Sequence, residues 1–208
     1  MLVIANNCAG ADYYNLHHTE YNNPFIWSLC FPTDMINVIN KFNTINWSNV
    51  NVHFMSESVA TNNHYTSYQP LIPGLTIDQT SNIYYTHYLF NPSCNVPTKV
   101  GVNKYYNKNY EYAFNKYIKH AKTMCSCHEP PCFLIITYHR HGWDNTHFKL
   151  LYTIRSQYKV CVISSQLLTN LPPNIALYYE PTLDSPSTIL PISMVKKYND
   201  EITRHFMG

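Results

Sequence analysis

Leu2-Val3-Ile4-Ala5 is a continuous apolar run that gives way to Asn6-Asn7-Cys8-Ala9-Gly10 and then to a mixed stretch ending at His18. That order predicts a strand over Leu2 to Ala5, a tight loop, and a helix from Gly10 to His18. Pro24 restricts Asn23 to extended geometry, so Tyr21-Asn22-Asn23-Pro24-Phe25 reads as a turn. Thr33 and Asp34 are placed to cap a helix whose apolar positions Met35, Ile36, Ile39 and Phe42 recur near every 3.6 residues. Val50 to Met55 alternates like a strand, and Ser56 to Gln69 is polar and reads as a loop. Ile83 to Leu89 is apolar and aromatic, again strand-like. Asn107 to Met124 carries Ala113, Tyr117, Ala121 and Met124 along one helical face.

The strongest strand is Phe133 to Tyr138, where a near-continuous apolar run implies burial on both faces, as in a parallel sheet. Thr146 to Gln157 is expected as a helix, Val160 to Ile163 and Ile175 to Tyr179 as strands, and Ile192 to Phe206 as a C-terminal helix. Strands alternating with helices predict an α/β fold: three layers, a mostly parallel sheet with flanking helices, and Cys8 at the end of the first strand. With 208 residues and no internal repeat or linker, residues 1–208 read as a single α/β domain. Ligands of such folds collect beyond the carboxyl ends of the strands. Cys8, His139, His141 and Ser164-Ser165-Gln166 all follow strand ends and are expected on one rim.

Composition narrows the function classes. A formal net charge of +2 with 12% charged residues gives no electrostatic footprint for a nucleic-acid partner. No apolar run approaches the ~18 residues of a membrane span, so none is expected. The start lacks a basic segment followed by a long apolar one, so a signal peptide is not expected. An odd count of 7 cysteines suits a reducing, cytoplasmic setting better than a disulfide framework. The 19 tyrosines and many asparagines fit an AT-rich coding sequence, and nucleotide loops of the G-x-x-x-x-G-K or G-x-G-x-x-G type are missing.

Cys8 carries the sharpest chemical signal. A thiol between a strand and a helix faces the first N–H groups of that helix, whose partial positive charge stabilises a thiolate. A cysteine nucleophile also needs a base and an orienting group. By position His87 and His139 are the partners offered among 11 histidines, and Asp12, Asp78 and Asp144 are the orienting carboxylates. Asp144, at D-x-x-H spacing from His147, reads more simply as a helix cap. Cys125, Cys127, His128 and Cys132 have ligand chemistry for zinc, but their spacing matches no standard finger or ribbon, and no metal is expected.

Asn6-Asn7-Cys8, Gly10, a tyrosine at 13 or 14, and the segment Tyr21 to Phe25 resemble a family of exopolysaccharide-biosynthesis proteins that open with a strand, an Asn-Cys turn and an Asn-(Ser/Thr)-Pro segment. Pro24-Phe25-Ile26-Trp27 resembles the P-F-D-W signature of papain-like cysteine peptidases, with Ile26 at the Asp position. His87-Tyr88 is similar to the His-aromatic step of both groupings. The Asn-Cys opening is also similar to capsular-polysaccharide acetyltransferases that bind coenzyme A. The resemblance covers roughly the first ninety residues and, more loosely, the strands from Phe133 to Ser165, and implies an acyltransferase that moves an acetyl group from acetyl-CoA to a sugar or nucleotide-sugar acceptor. It implies Cys8 with His87 as the reacting pair, Asn7, Ala9 and Gly10 at the oxyanion or coenzyme A, and Asn23, Trp27 and Tyr88 at the substrate. Backbone N–H donors from Ala9 and Gly10 would each be worth ~3 kcal/mol to an oxyanion. The rival readings are a papain-like cysteine hydrolase and a non-catalytic glycan-binding or assembly protein whose Tyr and Trp faces stack on sugars.

Overall fold

A computed structural model of the chain describes residues 1–19, 23–26, 28–54, 73–84, 106–126, 128–138, 141–184 and 191–208. Four of its strands, β1 (Leu2–Ala5), β5 (Pro131–Ile136), β6 (Val160–Ser164) and β7 (Ile175–Tyr179), form a sheet in the order β1-β5-β6-β7 with every pairing parallel. A second, antiparallel sheet joins β2 (Val50–Phe54), β3 (Pro73–Ile77) and β4 (Ser81–Tyr84) in the order β2-β3-β4. The helices are α1 (Ala9–Leu16), α2 (Pro32–Lys41), α3 (Tyr106–Thr123), α4 (Asn145–Phe148), α5 (Pro191–Lys197) and α6 (Asn199–Met207). No described helix is long and apolar enough to cross a membrane.

Successive strand residues face opposite sides of the sheet, and here both sides are dry. Val3, Ala5, Leu134, Ile136, Cys161 and Ile163 pack with α1, α5 and α6 through Ala9, Tyr13, Val195, Ile202 and Phe206. Leu2, Ile4, Phe133, Ile135, Val160 and Val162 pack with α2, α3 and the small sheet through Met35, Ile39, Ala121, Leu75 and Ile77. That double burial explains why these strands are apolar without alternation. The result is the expected three-layer α/β architecture.

Three departures from the sequence reading have physical causes. β3 opens on Pro73-Gly74, a turn signal, yet it is the middle strand of its sheet, because proline is tolerated at a first strand residue. The helix expected over Thr146 to Gln157 is one short turn, α4, followed by a 3-10 segment, Lys149–Thr153. Tyr152, Thr153 and Ile154 are weak helix formers. The side chain of Asn40 in α2 also closes the segment, donating to the Thr153 carbonyl at 3.1 Å and accepting from Arg155 N–H at 2.7 Å. The single C-terminal helix is broken at Tyr198, where Tyr198 Oη donates to Glu180 Oε2 at 3.1 Å. Of the strand expected over Ile83 to Leu89, Ile83 and Tyr84 are described, at the end of β4; the rest of it and the Ser56–Gln69 loop lie outside the described residues.

Leu29 and Cys30 link the two sheets through backbone hydrogen bonds. Leu29 and Tyr84 exchange both backbone hydrogen bonds, at 2.6 and 2.8 Å, and the neighbouring Cys30 N–H donates to the Asn6 carbonyl at 2.8 Å. The end of β4 is thereby bonded to the carboxyl end of β1.

Candidate functional site

The rim at the carboxyl ends of the parallel strands begins with Asn6. It is fully buried, and its side chain acts as an extra piece of strand. Oδ1 accepts from Ile136 N–H at 2.9 Å, while Nδ2 donates to the Ile136 carbonyl at 3.1 Å. Asn7 is buried as well and turns the chain into α1 by accepting from Ala9 N–H at 2.9 Å. Cys8 follows at the N-cap position, with helical backbone (φ −58°, ψ −11°) and no capping bond from its side chain. It is partly exposed and forms no disulfide.

The other described cysteines have different surroundings. Cys30 and Cys161 are buried, and burial pushes both thiols well up, with Asp34 adding to the first and Glu201 to the second. Burial also raises Cys132, against the pull of Lys159 and the N-terminal ammonium. Cys125 is exposed, with its sulfur 3.2 Å from Ser48 Oγ. Cys132 lies inside β5 and is hidden, so it does not stand with exposed Cys125 and His128 as a set of ligands; Cys127 is outside the described residues. Among the described residues no group of three or more His, Cys, Asp or Glu side chains is arranged to hold a metal ion.

Asp12 lies one helical turn beyond Cys8, its N–H bonded to the Cys8 carbonyl at 3.1 Å. Helical side chains lean toward the N-terminus, so Asp12 leans toward Cys8. It is only 6% exposed, and burial pushes its carboxyl up to about 6, with Lys196 of α5 pulling the other way. Of the other carboxylates considered as orienting groups, Asp144 caps α4, accepting from Thr146 and His147 N–H at 2.8 and 3.0 Å. Asp78 occupies the β3–β4 turn at φ 51°.

Several residues expected at the oxyanion or substrate carry structural bonds or packing in this fold. The Ala9 N–H is engaged by Asn7 Oδ1, and the Gly10 N–H faces the Asn7 carbonyl at 3.4 Å, so neither is an open donor. Gly10 is needed for packing: a Cβ there would sit 3.1 Å from Ala5 Cβ, which holds α1 close against β1. Asn23 is fully buried and finishes the open edge of β1. Its Nδ2 donates to the Val3 carbonyl at 3.2 Å and its Oδ1 accepts from Phe25 N–H at 3.0 Å, while Tyr14 Oη accepts from Val3 N–H at 2.8 Å. An edge strand needs such partners when it is buried. Both ends of the Asn23 amide are thus engaged in closing this edge among the described residues. Trp27, His87, Tyr88 and His139 lie outside the described residues.

Further along the rim, His141 is 9% exposed with its ring edge-on to Tyr138 at 5.1 Å. Ser164 is buried and accepts from Gln166 N–H at 3.0 Å. The sequence reading missed Glu180, the first residue past β7. It is 1% exposed and accepts from Thr182, Lys197 and Tyr198 side chains. Burial would raise its carboxyl, but the bonds from Lys197, Thr182 and Tyr198 outweigh this and hold it down at about 2. A glutamate directly after an apolar strand was the available signal. Its full set of donors makes it the tie between β7 and the α5–α6 corner. No protein-family model matches the chain, and no curated protein matches it.

Proposed function

We propose that the protein is a cysteine-dependent acyltransferase that passes an acyl group, acetyl first among the candidates, from a thioester donor such as acetyl-CoA to a sugar hydroxyl or amine. The observation that carries the reading is the backbone link at the rim. Tyr84 is bonded to Leu29, and Cys30 is bonded to Asn6, two residues before Cys8. His87 follows Tyr84 by three residues in sequence, a chain length that spans at most ~10 Å. The described end of β4 is thus linked through backbone bonds to the segment that bears the thiol, and His87 follows that end in sequence. Cys8 adds partial exposure and a helix N-terminus, the surroundings of a reactive thiolate.

In the proposed reaction His87 takes the thiol proton and Cys8 Sγ attacks the donor carbonyl. The bond from that carbon to the donor sulfur breaks, and the departing thiolate takes up the proton. The acceptor O–H or N–H then attacks the Cys8 thioester and gives its proton to the base, and the Cys8 thiolate leaves. A cysteine hydrolase is the second reading, favoured by Asp12. A carboxyl near neutral pKa one turn from the thiol suits accepting a proton from water.

The test is to mix the protein with acetyl-CoA and a panel of amino- and deoxy-sugars and to follow coenzyme A thiol release. Acceptor-dependent release, lost in Cys8→Ala, is expected. No release, together with no thermal shift on adding coenzyme A, removes the transferase reading. Acceptor-independent turnover of a generic ester that is lost on alkylating Cys8 selects the hydrolase. Release that persists in Cys8→Ala removes Cys8 as the nucleophile.

A further inference from the structure

The amino ends of the parallel strands border a cavity, at the other end of β1 from Cys8. Met1 and Glu129 just precede β1 and β5, whose first residues Leu2 and Pro131 are in register. α1 leaves the carboxyl end of β1 at Cys8, and its far end, with His17 and Thr19, comes back to the level of Met1. α6 supplies Thr203 and Met207. The space between these segments is about 370 Å³. Small-molecule sites run from ~300 to ~1,000 Å³, so this one suits a ligand of a single ring.

Its walls are held in place before anything binds. Tyr13 and Tyr14 form the floor and are only 2% and 3% exposed. The Tyr13 ring lies 4.3 Å from the His17 ring, tilted by 37°, and stands edge-on to Phe206 at 6.2 Å. Asn199 also fixes the imidazole, its Oδ1 lying 2.9 Å from His17 Nε2. Side chains already ordered in this way lower the entropic cost of binding.

The polar groups converge on one point. Thr203 Oγ1 is 3.5 Å from Tyr13 Oη and 3.5 Å from His17 Nε2. A well-made O–H···O bond is ~2.7–2.8 Å, so these contacts are at the outer limit and the two hydroxyls keep capacity for a third polar group set among them. A ligand hydroxyl is such a group. No lysine or arginine lines the cavity among the described residues, and the Met1 ammonium is paired with Glu129 at 3.0 Å. A phosphate or carboxylate would find no guanidinium or lysine ammonium to hold it. The thioethers of Met1 and Met207, both exposed, offer adaptable apolar contact to the C–H face of a ring. A neutral, hydroxyl-bearing ring answers all of these features.

We propose that this cavity binds a neutral saccharide unit, with Thr203, Tyr13 and His17 meeting one of its hydroxyls. The site is separate from Cys8 and does not depend on acyl transfer.

Proton–nitrogen correlation spectra of the full chain test it, with methyl glucoside and then N-acetylglucosamine added to tens of millimolar. One or both probes are expected to shift the His17 and Thr203 amides along saturating curves. Thr203→Val keeps the side-chain shape, removes the hydroxyl and should weaken that binding about 3- to 10-fold. Cys8→Ala should bind as the wild type does, and glucose 6-phosphate no more tightly than methyl glucoside. Wild-type spectra in which neither probe moves these amides overturn the site, whether or not Thr203→Val folds. Unchanged affinity in a folded Thr203→Val protein overturns the part given to its hydroxyl. Shifts confined to Asn7, Cys8 and Ala9 put the sugar at the opposite rim, overturning this site while leaving the transferase reading intact. Tighter binding of glucose 6-phosphate overturns the assignment of a neutral ligand.

Discussion

Asn6→Asp changes one heavy atom in the rim, and the structure sets what should follow. In the native chain the fully buried Asn6 amide both accepts from Ile136 N–H at 2.9 Å and donates to the Ile136 carbonyl at 3.1 Å. An ionised aspartate keeps the first bond but turns a donor into an oxygen facing a carbonyl oxygen. Protonated, it can place an O–H where the amide N–H was. The folded state therefore favours the protonated form, and the folded pKa of the new carboxyl lies above its unfolded value of about 4. A rise of about 3 units corresponds to roughly 4 kcal/mol. The sign follows from proton binding: below pH ~4 both states are protonated and the variant lies closest to wild type. As pH rises through the raised folded pKa the folded state loses its advantage, and above it the deficit is constant. Urea unfolding of wild type and variant across pH 4.5 to 8.5 measures the difference directly, the background titration cancelling in the subtraction. A deficit below ~1 kcal/mol at high pH, or one that does not grow with pH, refutes the reading of Asn6 as a surrogate piece of strand.

Asp12→Asn should stabilise the protein by about 1–3 kcal/mol at pH 8, because the native carboxyl is raised to about 6 by burial. The gain should be absent near pH 4 and grow as pH rises through 6; urea midpoints that do not separate over that range count against a desolvated Asp12. Tyr14→Phe removes the acceptor of Val3 N–H and should cost about 1–3 kcal/mol with faster hydrogen exchange at the Val3 amide. Unchanged exchange there would mean that the β1 edge is closed by something other than the tyrosine hydroxyl.

Much of the parallel sheet was legible because its cause is local. Strands buried on both faces read as unbroken apolar runs, and β1, β5 and β6 fall where Leu2–Ala5, Phe133–Ile136 and Val160–Ile163 are apolar; the half-buried edge strand β7 falls on the apolar run Ile175–Tyr179. Asp144 was legible as a cap for the same reason, since its partners are two and three residues away. The failures are non-local. The end of the Lys149–Thr153 segment is held by Asn40, more than a hundred positions earlier, and the break at Tyr198 by Glu180 at the end of a strand. β3 hid behind a Pro-Gly signal because its strand character comes from neighbours on both sides.

The candidate site divides along the same line. The sequence by itself determined that a cysteine follows the first buried strand and opens a helix, since hydrophobic periodicity and turn chemistry act over a few residues. Only the tertiary structure decided what the polar residues around it do. The amide of Asn6 finds its partner 130 positions away, Asn23 and Tyr14 finish an edge that no sequence pattern marks as an edge, and Asp12 becomes costly only once the packed fold buries it. A polar side chain is neutral toward the fold until its surroundings remove water, and which water is removed is a property of the packed layers.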